Sequence, residues 1–482
     1  MPNSHLPQHL DGDFSTFSTL SQSLSFHSSP ESFISSRIQQ AVSSEPGLTA
    51  SAAAKQRVIC ARLLNRNVAV VSSYQLCKDV LRAESGESQS TVSSAGLEGK
   101  IGPGTFAVRP AYDELMSEFF PPPNLLLEDF PGHAAYRADW DQQLSSFPAD
   151  VTPLIRDIVK EHIGSFTHGS TIDLYNNMKD LSWRILLGVF LQLSPTDKAF
   201  SSIESSQETL LRGQFSLFPV SVNAVFWRSP RSKGIEARRR LQTLLKDQIK
   251  AQDSGCPFLR QKKVSKDDIA SHALFFTSSI AVKALASLLT ASLLNLFLLP
   301  CDPPLASRIE SEGPVNGEVL LKSILLETER LSPPVVGVMR RVQRDVILAA
   351  PEGQSDTLIP SGWDVWLYFA GAGRDPAVFE LADTFLPERF ISPAQAPSGF
   401  AFGSGSKSCL SEHLIRQIVL TVAQTMLDSG IRLDGTVKEQ GVKGWLGWES
   451  DVGAKAFAKD LKQLPCQRPK EAIKVSIHHE SK

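Results

Sequence analysis

The residues with the clearest chemical potential are a single cysteine and the glycine-rich loop before it. The sequence from Phe402 to Ser411 reads Phe-Gly-Ser-Gly-Ser-Lys-Ser-Cys-Leu-Ser and leads into an apolar periodic segment, 414–427. Backbone N–H groups and the dipole at the start of a helix favour a thiolate, so Cys409 is placed to act as a metal ligand. The loop glycines bring no Cβ and can lie close against a flat group. The alternative is an ordinary turn closed by a buried thiol.

Two charged motifs precede this loop. Glu327 and Arg330 are spaced i, i+3 and therefore share one face of a predicted helix, which a Ser-Pro-Pro turn follows. Arg389, in a Pro-Glu-Arg-Phe segment, can close a cluster of one carboxylate and two guanidinium groups. Such a cluster would fix the segment that carries the cysteine, because removing one member leaves a buried charge unpaired. Taken alone, the Glu-x-x-Arg motif would be a solvated ion pair.

The three motifs, in this order, resemble those of the cytochrome P-450 superfamily. The cysteine loop of that superfamily has the pattern F-[GS]-x-[GD]-x-[RKH]-x-C-x-G, and the chain departs from it at Ser411, where glycine is usual. The resemblance implies haem b, with Cys409 as the axial thiolate on the iron and Phe402 in the haem-binding loop. It extends over most of the chain and includes two strands, at 57–64 and 67–71, ahead of a helix.

The resemblance also implies a set of residues that hold the haem propionates. His133 and Arg137 are spaced i, i+4 on a predicted helix, like the H-x-x-x-R of soluble members. Arg340 follows the Glu-x-x-Arg helix at the distance where the family places a propionate arginine, and Lys407 fills the basic position of the cysteine loop. Carboxylates that leave water need charge-assisted hydrogen bonds, which these four residues can supply.

The central helix predicted at 270–299 lacks the usual signature of the family, A-G-x-[DE]-T. No Asp or Glu occurs between Ser271 and Pro300. We predict that Thr277, Ser278 and Ser279 replace the missing alcohol and carry protons to iron-bound dioxygen; the alternative is that they only bond back to helix carbonyls. Lys283, in the same segment, either extends its ammonium group to water or pairs with a substrate carboxylate.

Composition and charge are consistent with one large soluble domain. The chain has 482 residues, a formal net charge of −2 and an apolar share of 42%. None of the six cysteines forms a C-x-x-C pair, and no long basic block indicates nucleic-acid binding. We expect a disordered polar segment at 1–36, a catalytic domain at 37–468 and a polar tail at 469–482. The first segment has no apolar run of the ~20 residues that span a bilayer, so we expect a cytoplasmic protein with no membrane span.

The predicted fold is mainly α with a smaller β lobe, like that of cytochrome P-450, with the haem between the central helix and the cysteine-loop helix. The predicted function is that of a monooxygenase-type haem-thiolate oxidoreductase. It would act on a small, mainly apolar organic substrate in specialised metabolism, with electrons from an NADPH-dependent reductase. One alternative is a non-redox isomerase, dehydratase or lyase acting on an already oxidised substrate such as a hydroperoxide. Another is a haem protein without catalysis.

Overall fold

The computed structural model describes sixteen stretches of the chain. They are residues 8–9, 16–28, 30–43, 58–63, 66–84, 97–98, 104–216, 221–224, 227–252, 256–260, 263–348, 356–392, 397–435, 446, 466–469 and 472–480. The fold is mainly helical with a smaller β region, which confirms the predicted fold class.

Helices supply most of the core. They are α1 Thr16–Ser28, α2 Pro30–Ser43, α3 Tyr74–Glu84, α4 Arg109–Met116, α5 Gly132–Gln143, α6 Phe147–Ile163, α7 Leu174–Leu191, α8 Lys198–Gln214, α9 Pro230–Ala251, α10 Lys266–Phe276, α11 Ser279–Leu298, α12 Leu305–Ser311, α13 Gly313–Leu331, α14 Phe369–Ala372 and α15 Glu412–Asp428. Helix α11 is apolar around most of its circumference because it is the buried axis of the core, packed against α7, α13 and α15.

The strands of the described residues form three sheets. They are β1 Gln8–His9, β2 Ile59–Leu63, β3 Arg66–Val71, β4 Leu97–Glu98, β5 Phe106–Ala107, β6 Thr171–Asp173, β7 Gly337–Val342, β8 Val346–Leu348, β9 Thr357–Ile359, β10 Asp364–Tyr368, β11 Ile431–Asp434 and β12 Lys474–His479. The largest sheet has the order β1-β2-β3-β10-β7-β5. In it β10 runs parallel to β3 and antiparallel to β7, so Val365 lies beside Ala69 on one side and Arg340 on the other.

The segment predicted as one central helix is two helices. Helix α10 ends at Phe276, and α11 begins at Ser279 after a break at Thr277 and Ser278. The Ser278 backbone is extended, and its hydroxyl accepts a hydrogen bond from the Ala281 N–H at 3.1 Å. A serine in this position satisfies an N–H group that a helix start leaves free, so the local sequence specifies the restart.

Both chain ends differ from the prediction. Residues 16–28 and 30–43 are helical rather than disordered, because Phe26, Phe33 and Ile34 are buried against the largest sheet. The Phe26 ring lies 4.7 Å from the ring of Trp366, centroid to centroid. The expected polar tail contains β12, which pairs with both β11 and β6. A serine-rich composition concealed the apolar face of α2, whereas the alternation of Val475 and Ile477 with polar residues is a strand signal that the polar character of the tail outweighed in the prediction.

Among the described helices, α11 has the length and apolarity that could cross a membrane. Most of its residues are buried inside the protein, as expected for the core helix of a globular fold. The cytoplasmic location stays a prediction.

Candidate functional site

The cysteine loop is shaped by its glycines and by two backbone hydrogen bonds. Gly403 and Gly405 have φ angles of 72° and 71°, in the left-handed region that residues with a Cβ rarely adopt. The Cys409 N–H donates to the Phe402 carbonyl at 2.8 Å, and the Gly403 N–H donates to the Phe400 carbonyl at 2.9 Å. The loop therefore closes on itself just before α15. Of the six cysteines, Cys409 is the exposed one, and it faces an internal cavity.

The protein around Cys409 does not by itself favour a thiolate, contrary to the sequence-based expectation. Its exposure is to the cavity rather than to bulk water, and desolvation raises the pKa of the thiol. The Ser411 backbone N–H and Arg137 lower this pKa, whereas the Glu412 carboxylate raises it further. A bound metal cation would deprotonate the sulfur through its own charge.

The predicted haem-binding residues lie together around one cavity of about 440 Å³. Cys409 and Phe402 line it from the cysteine loop. The four residues predicted for the propionates come from three elements and also line it: His133, Arg137, Arg340 and Lys407. Residues separated by more than 250 positions in the sequence thus share one site.

The charges of these four residues are suited to an anionic group. Burial, together with the nearby charges of Lys407 and Arg137, lowers the pKa of His133 to about 4, although Asp129 and Asp141 act in the opposite direction. Arg137 donates to the Ser408 carbonyl at 2.6 Å, and Lys407 donates to the carbonyls of Leu125 and Leu126, each at 3.2 Å. Burial is the main reason that His133 is neutral, and Lys407 and Arg137 give this part of the site a positive potential that Asp129 and Asp141 partly offset. Carboxylates bound there would offset that potential.

The opposite wall of the cavity is apolar. It is formed by side chains of α10 and α11 and by the 125–126 segment: Leu125, Leu126, Phe275, Phe276, Ala281, Ala284, Leu285 and Leu288. The wall is suited to a mainly apolar ligand that excludes water from the site.

The three hydroxyl residues that were predicted to carry protons are not among the residues that line the cavity. Thr277 is fully buried and donates to the Ala273 carbonyl at 2.6 Å, the back-bonding alternative named above. Ser278 caps α11, and the Ser279 hydroxyl donates to the Glu208 carboxylate at 2.9 Å. With about 3.6 residues per turn, Ser279 lies on the face of α11 opposite to Ala281 and Ala284.

Lys283 has a partner that the sequence gave no way to identify. Its Nζ lies 3.0 Å from Oε2 of Glu208 on α8, and both side chains are mostly buried. The same carboxylate binds Ser279, one turn earlier on α11. Lys283 therefore neither extends to water nor faces a ligand in the cavity, since this face of α11 points away from it.

Glu327, Arg330 and Arg389 form the network predicted from their motifs. Glu327 accepts two hydrogen bonds of 2.7 Å from Arg330 and bonds of 3.0 and 3.1 Å from Arg389. Arg330 also donates to the carbonyls of Gly373 and Ala382, each at 2.6 Å. Glu327 and Arg330 have no exposed side-chain surface. The network thus fixes the irregular 373–389 segment, which has little regular structure of its own, to α13.

A second buried carboxylate on α13 was not predicted. Glu329 is 3% exposed, and Arg416 on α15 donates to it at 2.7 and 2.9 Å. Burial raises the pKa of Glu329, and the hydrogen bond and charge of Arg416 lower it. The Arg416 guanidinium also lies 5.2 Å from the centre of the Phe402 ring. Arg416 thus links Glu329 on α13 to Phe402 in the cysteine loop.

Comparison with known proteins agrees with this geometry. The cytochrome P-450 family model matches residues 319–429, which contain the Glu–Arg–Arg network and the cysteine loop. Mitochondrial cytochrome P-450 11B1 of Rattus norvegicus is 32% identical over 108 residues, 22% of this chain and 20% of that protein. The chain thus matches about a fifth of the length of such curated relatives.

Solved structures match over nearly the whole chain. Cytochrome P-450EX alpha with myristic acid has a TM-score of 0.66 at 15% identity and covers 99% of this chain and 100% of its own. A structure of unusual cytochrome P-450-like monooxygenases of microbial secondary metabolism has a TM-score of 0.60 at 16% identity, covering 85% and 92%. At these identities the likeness establishes the fold.

The chain has the cytochrome P-450 fold, and its cavity has a cysteine on one wall and apolar helix side chains on the other. Residues 319–429 of the chain are similar to the cytochrome P-450 family, and the likeness over the rest of the chain is one of fold. Proteins of this superfamily bind haem through a cysteine thiolate, and in this chain the residue that would hold the iron is Cys409.

Proposed function

We propose that this chain is a monooxygenase-type haem-thiolate oxidoreductase that acts on a small, mainly apolar organic molecule in specialised metabolism. One observation carries the proposal: Cys409, the four propionate candidates and an apolar wall line the same cavity. The monooxygenases of microbial secondary metabolism that share this fold support the metabolic role.

The chain's own residues have separable tasks in this proposal. Cys409 would hold the iron, while His133, Arg137, Arg340 and Lys407 would orient the group through its carboxylates. Haem would supply the one-electron and dioxygen chemistry when bound. Phe275, Phe276 and Leu285 would exclude water and position an apolar substrate above the cysteine loop.

The electron source is proposed to be a separate NADPH-dependent reductase. Lys407 is not available on the surface for docking, because its ammonium group lies inside, bonded to Leu125 and Leu126. The charge of Arg416 is paired with Glu329 and Glu412. These two charges are therefore not expected to contact the reductase.

One observation favours a second candidate, a non-redox isomerase, dehydratase or lyase. The cavity face of α11 presents Ala281, Ala284, Leu285 and Leu288, and among the described residues of this face none can transfer a proton. A reaction that rearranges an oxidised substrate, such as a hydroperoxide, needs no proton delivery to dioxygen.

The dependence of turnover on its co-reactants separates these candidates. Haem-loaded protein would be incubated with a library of apolar compounds, with and without NADPH, reductase and dioxygen, and in parallel with a fatty-acid hydroperoxide under nitrogen. Products that need all three co-reactants are the expected result. Conversion of the hydroperoxide under nitrogen without NADPH would instead establish the second candidate. Neither activity, at full haem content, would contradict both and leave a non-catalytic haem protein. Cys409→Ala is the control for reactions that do not use the site.

A further inference from the structure

His272 is a polar side chain in the apolar wall of the cavity. It lies on α10, is 2% exposed, and lines the cavity beside Leu125, Phe275 and Phe276. Tyr112 also lines the cavity, but its hydroxyl accepts the Met339 N–H at 2.8 Å on the β7 side. The other polar residues of the described lining belong to the propionate set and the cysteine loop. The proposed function assigns no task to His272.

Its hydrogen bonds define which ring nitrogen carries the proton. The Leu125 backbone N–H, which can only donate, points to Nε2 at 3.3 Å, so Nε2 carries the lone pair. The proton is then on Nδ1, which donates to the Asp268 carbonyl at 2.9 Å. Burial lowers the pKa of His272, which keeps the ring neutral at physiological pH. His272 thus offers the cavity a neutral acceptor of fixed orientation.

That acceptor is only weakly used within the protein. The Leu125 contact of 3.3 Å and the contact of 3.4 Å from the Tyr136 hydroxyl are both longer than the usual ~3.0 Å. The Tyr136 hydroxyl lies beside Nε2 and has oxygen lone pairs and a rotatable proton of its own. Together the two groups place one acceptor in the cavity lining, on His272, and one donor directly behind it, on Tyr136.

We propose that His272 and Tyr136 recognise a hydroxyl group on an otherwise apolar substrate. The substrate O–H donates to His272 Nε2, and its oxygen accepts the Tyr136 O–H in place of the long contact between the two residues. This inference rests on the proposed function, because it assumes that the substrate occupies the cavity above the haem.

The same geometry disfavours a carboxylate at this place. A neutral imidazole with its lone pair toward the ligand repels an anion, and the four propionate candidates, which also line the cavity, would be engaged by the haem carboxylates. The Lys283 ammonium is bound to Glu208 on the other side of α11. The chain would thus differ in ligand class from the structural neighbour that holds myristic acid.

Isothermal titration of the haem-loaded protein with three matched probes tests this assignment. n-Decanol and its isomer methyl nonyl ether differ in whether the oxygen can donate, and decanoate carries the charge. We expect n-decanol to bind about threefold to tenfold more tightly than the ether, the value of one neutral hydrogen bond, and decanoate to bind more weakly than both. Equal affinity for the alcohol and the ether, or tightest binding of decanoate, would overturn the proposal from measurements on the wild-type protein alone.

Two variants assign the preference to the named groups. Tyr136→Phe should reduce the ratio of alcohol to ether affinity by a few-fold, and His272→Leu should abolish it while ether binding is retained. Tyr112→Phe, a matched change at the other wall, should keep the wild-type ratio. An unchanged ratio in Tyr136→Phe contradicts the role of that hydroxyl even where His272→Leu does not fold. Wild-type protein without a haem-thiolate spectrum would refute the proposed function instead, so the two failures are distinguishable.

Discussion

Glu208 and Lys283 form an ion pair between helices α8 and α11, with 3.0 Å between Oε2 and Nζ. The pair lies across α11 from the cavity, and Ser279 donates to the same carboxylate. An acid and an alcohol are therefore present at the start of the central helix, but on the face that points away from the cavity. These contacts connect α8 to the first turn of α11.

The first prediction concerns the hydroxyls at the helix break. Changing Thr277, Ser278 and Ser279 together to Ala should lower stability by about 1–2 kcal/mol, mainly through loss of the Ser278 cap. The fraction of electrons lost to peroxide should stay at the wild-type value, because none of the three side chains lines the cavity. Thr290→Ala is the matched control, since Thr290 also bonds back to a helix carbonyl, at 2.7 Å.

Thermal unfolding and the ratio of peroxide to product measure the two effects separately. A rise in peroxide without loss of stability would show that the hydroxyls carry protons after all, as the sequence alone led us to expect.

A second prediction concerns the Glu208–Lys283 pair. Glu208→Gln should cost about 2 kcal/mol at neutral pH, less than a fully buried pair because Glu208 is 22% exposed. Glu204→Gln, one turn earlier on α8, is the control. Burial raises the pKa of Glu204, so its charge disfavours folding and its removal should not destabilise the protein.

The same pair predicts a dependence on pH. Burial raises the pKa of Glu208, but the charge and hydrogen bond of Lys283 and the bond from Ser279 outweigh it, and the net pKa lies below the ordinary value of 4.5. Its contribution is therefore complete above 4.5 and is lost as the pH falls through the folded-state pKa. The difference in unfolding free energy between wild type and Glu208→Gln should shrink below pH 4.5. A difference that is constant with pH would rule out the ion pair as its source.

The buried Glu–Arg–Arg network provides a third prediction. Glu327→Ala should destabilise the protein by about 3–5 kcal/mol and lower its haem content, because it leaves two buried guanidinium groups without their carboxylate. Glu318→Ala is the control on the same helix, since Glu318 pairs with Lys322 at the surface and should cost less than about 1 kcal/mol. Urea unfolding and haem quantitation report the result. Equal losses of unfolding free energy in the two variants would mean that the buried network contributes no more to stability than a surface ion pair.

The sequence predicted those parts of the site whose residues are adjacent in the chain or occur in ordered motifs. The loop around Cys409 and the i, i+3 pair of Glu327 and Arg330 belong to this group. Each carries its own local signal, such as glycine spacing or a shared helix face, before any tertiary contact is known.

Contacts across the fold were not predictable in the same way. Glu208 and Lys283 are separated by 75 positions, and no local pattern connects them. His272 is one of several polar residues of α10, and nothing in the local sequence indicates that Leu125 and Tyr136 approach its ring. The break after Phe276 could have been read from Ser278 as a cap, but the long apolar run masked it.

The carbon monoxide spectrum of the reduced protein tests the central claim most directly. If Cys409 holds the iron, the wild type should show the red-shifted band of a haem-thiolate complex and Cys409→Ala should lose it. Cys301→Ala, at a cysteine outside the cavity lining, should keep the band. A Cys409→Ala protein that retains the red-shifted band would contradict the assignment of Cys409 and the function built on it.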